Sequence, residues 1–268
     1  MPFPVPNNPP PSKQARYALY LMLSGYGKNQ WRAILLGGAA LTLACAACGW
    51  AMTALVAGAL TLAMLSFFRD PHRRIPSQRG VVVAPADGRI SSIHELEYFE
   101  PFDDSAVCIR IFLSVFNVHV NRSPCHGQVA SILHKDGCHL NAMNPQSAED
   151  NESNLIVLVH PVKGHPVAAV RQVAGLIARS IACGIQPQQV VRRGDRIGMI
   201  KFGSTTELYL PRALCPDISV IQGQKVKGGA TVLATVSRTM MADPYEGGDA
   251  CNSEAKNRSS GSKITHDC

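Results

Sequence analysis

No residue between Ala33 and Phe68 carries a charge. A run of that length is too long for the core of a signal peptide, and no convincing cleavage site follows it. It also exceeds the usual length of a helix buried in a soluble protein. It suffices for one tilted membrane helix, or for two shorter helices broken around Gly49-Trp50. The flanks discriminate between these. Lys28 and Arg32 precede the run, while Arg69, His72, Arg73 and Arg74 follow it. Positive residues favour the cytoplasmic side of a membrane, so both ends belong there. A helical hairpin satisfies both flanks; a single span satisfies one. The sequence thus predicts a membrane anchor over residues 33–68 of the inner, cell membrane, with the rest of the chain on the cytoplasmic side.

Around the anchor the composition changes. Residues 1–12 are rich in Pro and Asn and are expected to be disordered. Residues 13–32 are basic and suit an amphipathic helix on the membrane surface. The formal charge of +7 fits an anionic surface, either lipid or nucleic acid. Aromatic residues make up only 6 % of the chain, and the Lys and Arg residues form no stripe interleaved with them, which argues against a nucleic-acid binder. The nine cysteines are scattered and form no disulfide framework. Cys45 and Cys48 are spaced as C-x-x-C, but they lie inside the apolar run and read as small apolar residues of a membrane helix. His126, His134 and His139 have no metal-ligand spacing, so no metal site is expected.

After Pro76 the chain turns to short β-branched runs punctuated by Gly and Pro. Candidate strands are 80–85, 89–96, 106–113, 127–134, 154–160, 166–174, 195–202, 206–210 and 230–236, which predicts a mainly β domain over residues 69–240. Residues 171–182 are compatible with a short helix or a strand. Asp136-Gly137 suits a hairpin turn, and the acidic run Glu149–Glu152 suits a solvated loop. Residues 191–200 and 221–234 echo each other: each has a turn carrying Gly and a charge, followed by an apolar strand. That pattern resembles the flattened β sandwich (barrel-sandwich) of biotinyl and lipoyl domains. Residues 241–268 lose apolar periodicity and read as a disordered tail.

The chemistry centres on Lys201-Phe-Gly-Ser-Thr-Thr-Glu-Leu-Tyr-Leu210. Taken alone, a Gly-Ser pair between apolar strands is an ordinary tight turn. It also has a specific reactivity. Glycine has no Cβ, so a hydroxyl can approach the Gly203 carbonyl and the backbone there can adopt strained dihedrals. The Ser204 hydroxyl lies one residue downstream, placed for an N-to-O acyl shift. β-Elimination from the resulting ester would leave dehydroalanine, which hydrolyses to a pyruvoyl group. Such a shift needs a base and a stabilised oxyanion. Asp87, in the turn Ala84-Pro-Ala-Asp-Gly88, and His119, in the apolar segment 112–124, are the candidates. Each alone also reads as structural, the first as a turn residue and the second as a core histidine. In chain order they form an Asp–His–Ser set, in which Asp orients His and His activates Ser.

Five stretches occur in a telling order: Phe68-Arg-Asp-Pro71, Pro85-Ala-Asp-Gly88, Asn117-Val-His-Val-Asn-Arg122, Glu149-Asp-Asn-Glu152 and Phe202-Gly-Ser-Thr205. So arranged, residues 32–236 resemble the short, archaeal-type form of the phosphatidylserine decarboxylase family. The resemblance implies self-cleavage at Gly203–Ser204, giving a β chain 1–203 and an α chain 204–268 that stay together as a heterodimer. Ser204 would become a covalent pyruvoyl cofactor, with Asp87 and His119 assisting. Phosphatidylserine would be decarboxylated to phosphatidylethanolamine and CO2 through a Schiff base to that group. His119 would also handle protons during decarboxylation. Longer bacterial members carry two histidines in the segment matching 117–122, whereas this chain has His119 followed by Arg122, as short-form members do. An anionic bilayer substrate suits the apolar anchor and the basic cluster Arg69, Arg73 and Arg74, which also serves as a plain topology signal. Two other functions fit parts of the sequence: a pyruvoyl decarboxylase of a soluble amino acid, and a membrane-tethered lipoyl-like carrier. The first has no use for the apolar run. The second lacks an acceptor lysine in its usual setting, since Lys225 and Lys227 have no flanking methionines.

Overall fold

The uncharged run becomes two helices because Gly49 interrupts it. In the computed structural model, which describes residues 23–137, 150–175, 181–200 and 204–237, Gly49 adopts φ 76°, a conformation that disfavours side-chain-bearing residues. Helix α1 (Lys28–Ala47) ends before it and helix α2 (Ala51–Ser66) begins after it. The two pack as a hairpin through small residues: a Cβ on Gly38 would collide with the Thr61 side chain, and Gly58 faces Thr42. Thr42 and Thr61 return their hydroxyls to the carbonyls of Gly38 and Ala57, both at 2.8 Å, so neither leaves a donor on the apolar surface. The base of the hairpin is closed by backbone pairing of Leu23 with Arg69 and by Ser24 N–H donating to Phe68 O at 2.6 Å. Residues 28–32 form the first turns of α1 rather than a separate surface helix, with Trp31 buried against Phe67 and Phe68. Expectations for residues 1–22 and 238–268 lie outside the described residues.

The remainder is mainly β. In chain order the strands are β1 (Val81–Val83), β2 (Gly88–Phe99), β3 (Asp104–Leu113), β4 (Val120–Arg122), β5 (Gly127–Lys135), β6 (Ser153–Val159) and β7 (Pro166–Val173). They continue as β8 (Ile181–Cys183), β9 (Val190–Val191), β10 (Arg196–Ile200), β11 (Ser204–Pro211), β12 (Asp217–Ile218), β13 (Lys225–Val226) and β14 (Val232–Thr235). A curled eight-stranded sheet runs β13-β2-β3-β11-β7-β6-β5-β9, and two three-stranded sheets run β1-β14-β12 and β4-β10-β8. The pairings are antiparallel.

Alternation along β11 decides what each face holds. Leu208 and Leu210 point to the main core with Ile109, Ile111 and Leu113 of β3, Val170 of β7 and Ile156 and Leu158 of β6. Val82, Ile197 and Leu233, from the small sheets, close the same core. The domain is therefore mainly β as expected, a curled, half-barrel sheet whose core is shared with the two small sheets. Tyr209 points to the other face, with Cys108, Ala169, Val157 and Phe102. Glu207 shares that second face, held by Arg110 at 2.8 Å, by Arg171 at 3.6 Å and by the Tyr209 hydroxyl, which donates at 2.6 Å. Burial pushes the Cys108 thiol up to about 12, which makes it an inert apolar residue.

The two echoing segments share their predicted turns, with Gly194 at φ 83° and Gly223 and Gly229 at 85° and 74°. Two expectations need correction. Asp136-Gly137 is not a two-residue hairpin turn: β5 and β6 pair, but their connection runs from 136 to 152. Gly137 is instead pressed against the backbone of Asp150–Glu152, where a Cβ would clash. The acidic run is not simply solvated. Asn151 is buried and donates to Ala174 O at 2.8 Å, while Glu152 O accepts from Ala174 N–H at 2.9 Å; Glu149 lies outside the described residues. Of the two readings open for 171–182, the strand is what residues 171–173, the end of β7, and 181–182, the start of β8, adopt; residues 176–180 lie outside the described residues.

Candidate active site

Ser204 opens β11, the strand held between β3 and β7. It pairs with Leu113 at the end of β3, and its side chain falls on the same face as Thr206, Leu208 and Leu210. The residue is fully buried and its Oγ has no hydrogen-bond partner. A buried hydroxyl without a partner costs about 1–3 kcal/mol, so native proteins seldom keep one idle. Gly203, Phe202 and Lys201 lie outside the described residues, so of the Gly203–Ser204 pair the structure describes the Ser204 side.

His119 follows Leu113 in the chain after the short loop 114–118. It too is fully buried. Its ring packs on Phe67, with centroids 4.3 Å apart and planes 36° from parallel. Nδ1 lies 2.9 Å from Asn117 O. A carbonyl oxygen only accepts, so Nδ1 carries the proton and a neutral ring leaves Nε2 as a lone-pair acceptor. That Nε2 is buried and has no partner. Burial, helped by the nearby Arg69 charge and opposed by the Asn117 carbonyl, pulls the imidazole down to about 4, so it is neutral at physiological pH. The site therefore holds a neutral imidazole with a free basic nitrogen and a serine hydroxyl with no competing partner.

What ties the two together is a buried polar chain that the sequence did not announce. Asn154 Nδ2 donates to Gln172 Oε1 at 3.1 Å, Gln172 Nε2 donates to Asn121 Oδ1 at 2.8 Å, and Asn121 Nδ2 donates to Thr206 Oγ1 at 3.0 Å. All four residues are buried. The chain crosses from β6 through β7 to β4 and β11. It fixes Asn121, two residues beyond His119, against Thr206, two residues beyond Ser204. Ile200 N–H reinforces this by donating to His119 O at 3.2 Å, just before the 201–203 connection to Ser204.

Asp87 behaves differently from the sequence expectation. Neither ring nitrogen of His119 meets it. One oxygen of Asp87 accepts from Arg73 at 2.7 Å and the other from Gly228 N–H at 2.8 Å. The turn carrying Asp87 is brought to the site edge by Arg122 N–H, which donates to Pro85 O at 2.8 Å. Gly88 is required there, since any Cβ would strike the Phe112 carbonyl. The orienting group of His119 is thus the Asn117 backbone, and Asp87 is a buried ion-pair partner. Arg122, which stands where longer relatives were expected to carry a second histidine, pairs with Asp70 at 2.6 Å and donates to Gly194 O at 2.9 Å. Asp70 also takes Arg196. Of the basic cluster after the hairpin, Arg73 is committed to Asp87, Arg69 bonds the carbonyls of Ser66 and Phe116, and Arg74 is exposed.

These motifs coincide with a known family. The family model described as phosphatidylserine decarboxylase matches residues 60–234. The chain belongs to the phosphatidylserine decarboxylase family. Relatives named phosphatidylserine decarboxylase proenzyme include one from Ralstonia pickettii, 42 % identical over 192 residues, 71 % of this chain and 85 % of that one. Another, from Wolbachia sp. subsp. Brugia malayi, is 41 % identical over 182 residues, covering 66 % and 77 % of the two chains. A third, from Desulfotalea psychrophila, is 42 % identical over 172 residues, covering 64 % and 78 %. The matched span of this phosphatidylserine decarboxylase family member contains Asp87, His119 and Ser204 and begins inside α2.

Proposed function

We propose that this chain decarboxylates phosphatidylserine to phosphatidylethanolamine and CO2, using a pyruvoyl group made from its own Ser204. The observation that carries the reading is the pair of buried, unpartnered atoms His119 Nε2 and Ser204 Oγ. A base and a hydroxyl that are both left without a partner are available for serine activation, with the strands that carry them held together by Asn121–Thr206 and by Ile200 N–H to His119 O.

Self-cleavage then runs in balanced steps. His119 Nε2 takes the Ser204 hydroxyl proton as Oγ attacks the Gly203 carbonyl carbon. The C–N bond breaks, the proton passes to the leaving Ser204 nitrogen, and an ester joins Gly203 to Ser204 Oγ. Loss of the Ser204 Cα proton and cleavage of its Cβ–O bond releases residues 1–203 with a free carboxylate. The dehydroalanine left at residue 204 takes up water and loses ammonia, leaving a pyruvoyl terminus. The buried Ser204 environment fits that small uncharged group. Once formed, it supplies a carbonyl that acts as an electron sink for loss of CO2 from a bound amino acid. His119, neutral and with one nitrogen free, is suited to hold and return the proton in that reaction as well.

The two products should remain one molecule. β11 belongs to the C-terminal product yet sits between β3 and β7 of the N-terminal one. β13 and β14 are likewise paired with β2 and β1, and Asp87 accepts from Gly228 across the same divide.

A bilayer-borne substrate is favoured over a soluble amino acid by the hairpin. α1 with the turn before it is long and apolar enough to cross a membrane, and α2 spans about 24 Å at ~1.5 Å per residue. Leu36, Leu43, Met52, Leu55 and Leu62 are exposed on its outside, and Trp50 lies exposed at its tip. Basic residues at both feet favour the cytoplasmic side for the catalytic domain. The test is Ser204→Ala in the full chain: both self-cleavage and release of CO2 from phosphatidylserine are lost. Decarboxylation that survives this change would refute the cofactor assignment.

A further inference from the structure

The loop between β3 and His119 carries side chains that a water-facing loop has little reason to carry. Phe116 is 83 % exposed and Val115 is 41 % exposed, side by side at its tip. The loop is rigid. Asn117 Oδ1 accepts from the Ser114 backbone at 2.9 Å and from its hydroxyl at 2.8 Å, and Asn117 N–H donates back to Ser114 O at 2.9 Å. It is also anchored: the Arg69 guanidinium, at the foot of α2, bonds Phe116 O and Ser66 O. Arg69 thereby joins the tip of the loop to the last turn of the apolar hairpin. Lys28, Arg32, Arg69 and Arg74 lie at or just beyond the hairpin's two feet in the sequence, at the level where a bilayer's headgroups would meet them.

We infer that the Val115-Phe116 tip is a second lipid contact, which dips into the headgroup boundary beside the hairpin and holds the His119 end of the sheet against the bilayer. The occupant is a phospholipid surface because the loop is continuous, through Arg69, with the apolar hairpin and its basic rim. A lone exposed phenylalanine adds apolar area only if something apolar meets it, and at this height the nearest apolar phase is the acyl boundary. The functional consequence follows from chain distance. Phe116 is three residues from His119, and Asn117, which stiffens the loop through its side chain, orients the His119 ring through its carbonyl. Seating the tip in the membrane would align the catalytic end with lipid headgroups without extraction of the lipid.

This inference rests on the membrane-bound decarboxylase reading, and two measurements on the full chain separate the two. The first compares the parent, Phe116→Ser and Phe116→Leu on long-chain phosphatidylserine in phosphatidylcholine vesicles and on monomeric dihexanoyl phosphatidylserine. Phe116→Ser is expected to self-cleave normally and to turn over the dihexanoyl lipid within two-fold of the parent. On vesicles at limiting surface concentration it should lose about ten-fold, the low end of what moving a large apolar side chain out of water is worth. Phe116→Leu should restore most of that loss. Equal turnover by parent and Phe116→Ser on vesicles, or an equal fall on both substrates, overturns the inference. The second measurement needs no activity: Phe116→Trp in vesicles should gain fluorescence quenchable by lipids brominated near the headgroup, above the parent's own signal from Trp31 and Trp50. Absence of extra quenching overturns the inference. A parent that decarboxylates neither lipid overturns the decarboxylase reading, and quenching still decides the loop's insertion.

Discussion

The environment of His119 makes the pH dependence of self-cleavage unusual. An exposed histidine loses its basic form below about pH 6.5, and at pH 5 only about 3 % would remain neutral. Burial and Arg69 hold this imidazole at about 4, so about 90 % is neutral at pH 5. If Nε2 is the base, cleavage at pH 5 should proceed within about two-fold of its rate at pH 7.5, where an ordinary histidine would have lost about thirty-fold. The same shift affects stability with a definite sign. Between pH 6.5 and about 4 the unfolded chain binds a proton at His119 that the native chain refuses, so stability falls as pH falls through that window. The loss is roughly 2 kcal/mol at pH 5 and about 3 kcal/mol near pH 4. Cleavage should therefore fail only near pH 4, as the base protonates and the fold weakens together. The assay is pulse-chase of precursor made by cell-free synthesis in the presence of vesicles, shifted to each pH and followed by gel, with circular dichroism to verify folding. Phe67→Ala, which opens one face of the ring, should move the midpoint upward. A thirty-fold drop between pH 7.5 and pH 5 in a folded parent would refute the claim that a buried neutral His119 is the base.

Other residues give separate tests. Asn121→Leu strands the Gln172 amide donor and removes the Thr206 partner; it should cost about 1–3 kcal/mol in urea unfolding and slow cleavage. Asp87→Ala leaves Arg73 and Gly228 N–H without their acceptor, about 13 % from full burial; about 1–3 kcal/mol of stability should go, and Asp87→Asn, which can still accept from Gly228, should restore part of it. The cleaved products should co-elute in size-exclusion chromatography without denaturant and separate only when the sheet unfolds, because β11 is interior to it.

The sequence and the structure agree most where the signal is local or strongly patterned. The uncharged run, its break at Gly49 and the long strands β2, β3 and β5–β7 are all visible as composition or period-2 alternation. Ser204 and His119 stand out by residue chemistry and by their motifs. β4, β9, β12 and β13 escape because two or three residues carry no periodicity. The polar chain Asn154–Gln172–Asn121–Thr206 escapes for another reason: its members come from four strands, and nothing local marks an amide as buried until those strands pair. The partners of Asp87, Arg73 and Gly228 N–H in place of His119, were not legible because chain order carries no distance. The true orienting group of His119 is a main-chain carbonyl, which has no side-chain signature at all. Asp136-Gly137 has the composition of a hairpin turn, yet its glycine is needed for close approach to the 150–152 backbone instead.

The account stands or falls on Ser204, and intact mass spectrometry of the purified, active protein tests it most directly. The account predicts two chains, residues 1–203 ending in a free carboxylate and residues 204–268, the latter lighter than the plain hydrolytic fragment by the mass of one ammonia and blocked to Edman degradation. A single uncut chain that still decarboxylates phosphatidylserine, or a C-terminal piece that begins with an intact serine, would contradict it.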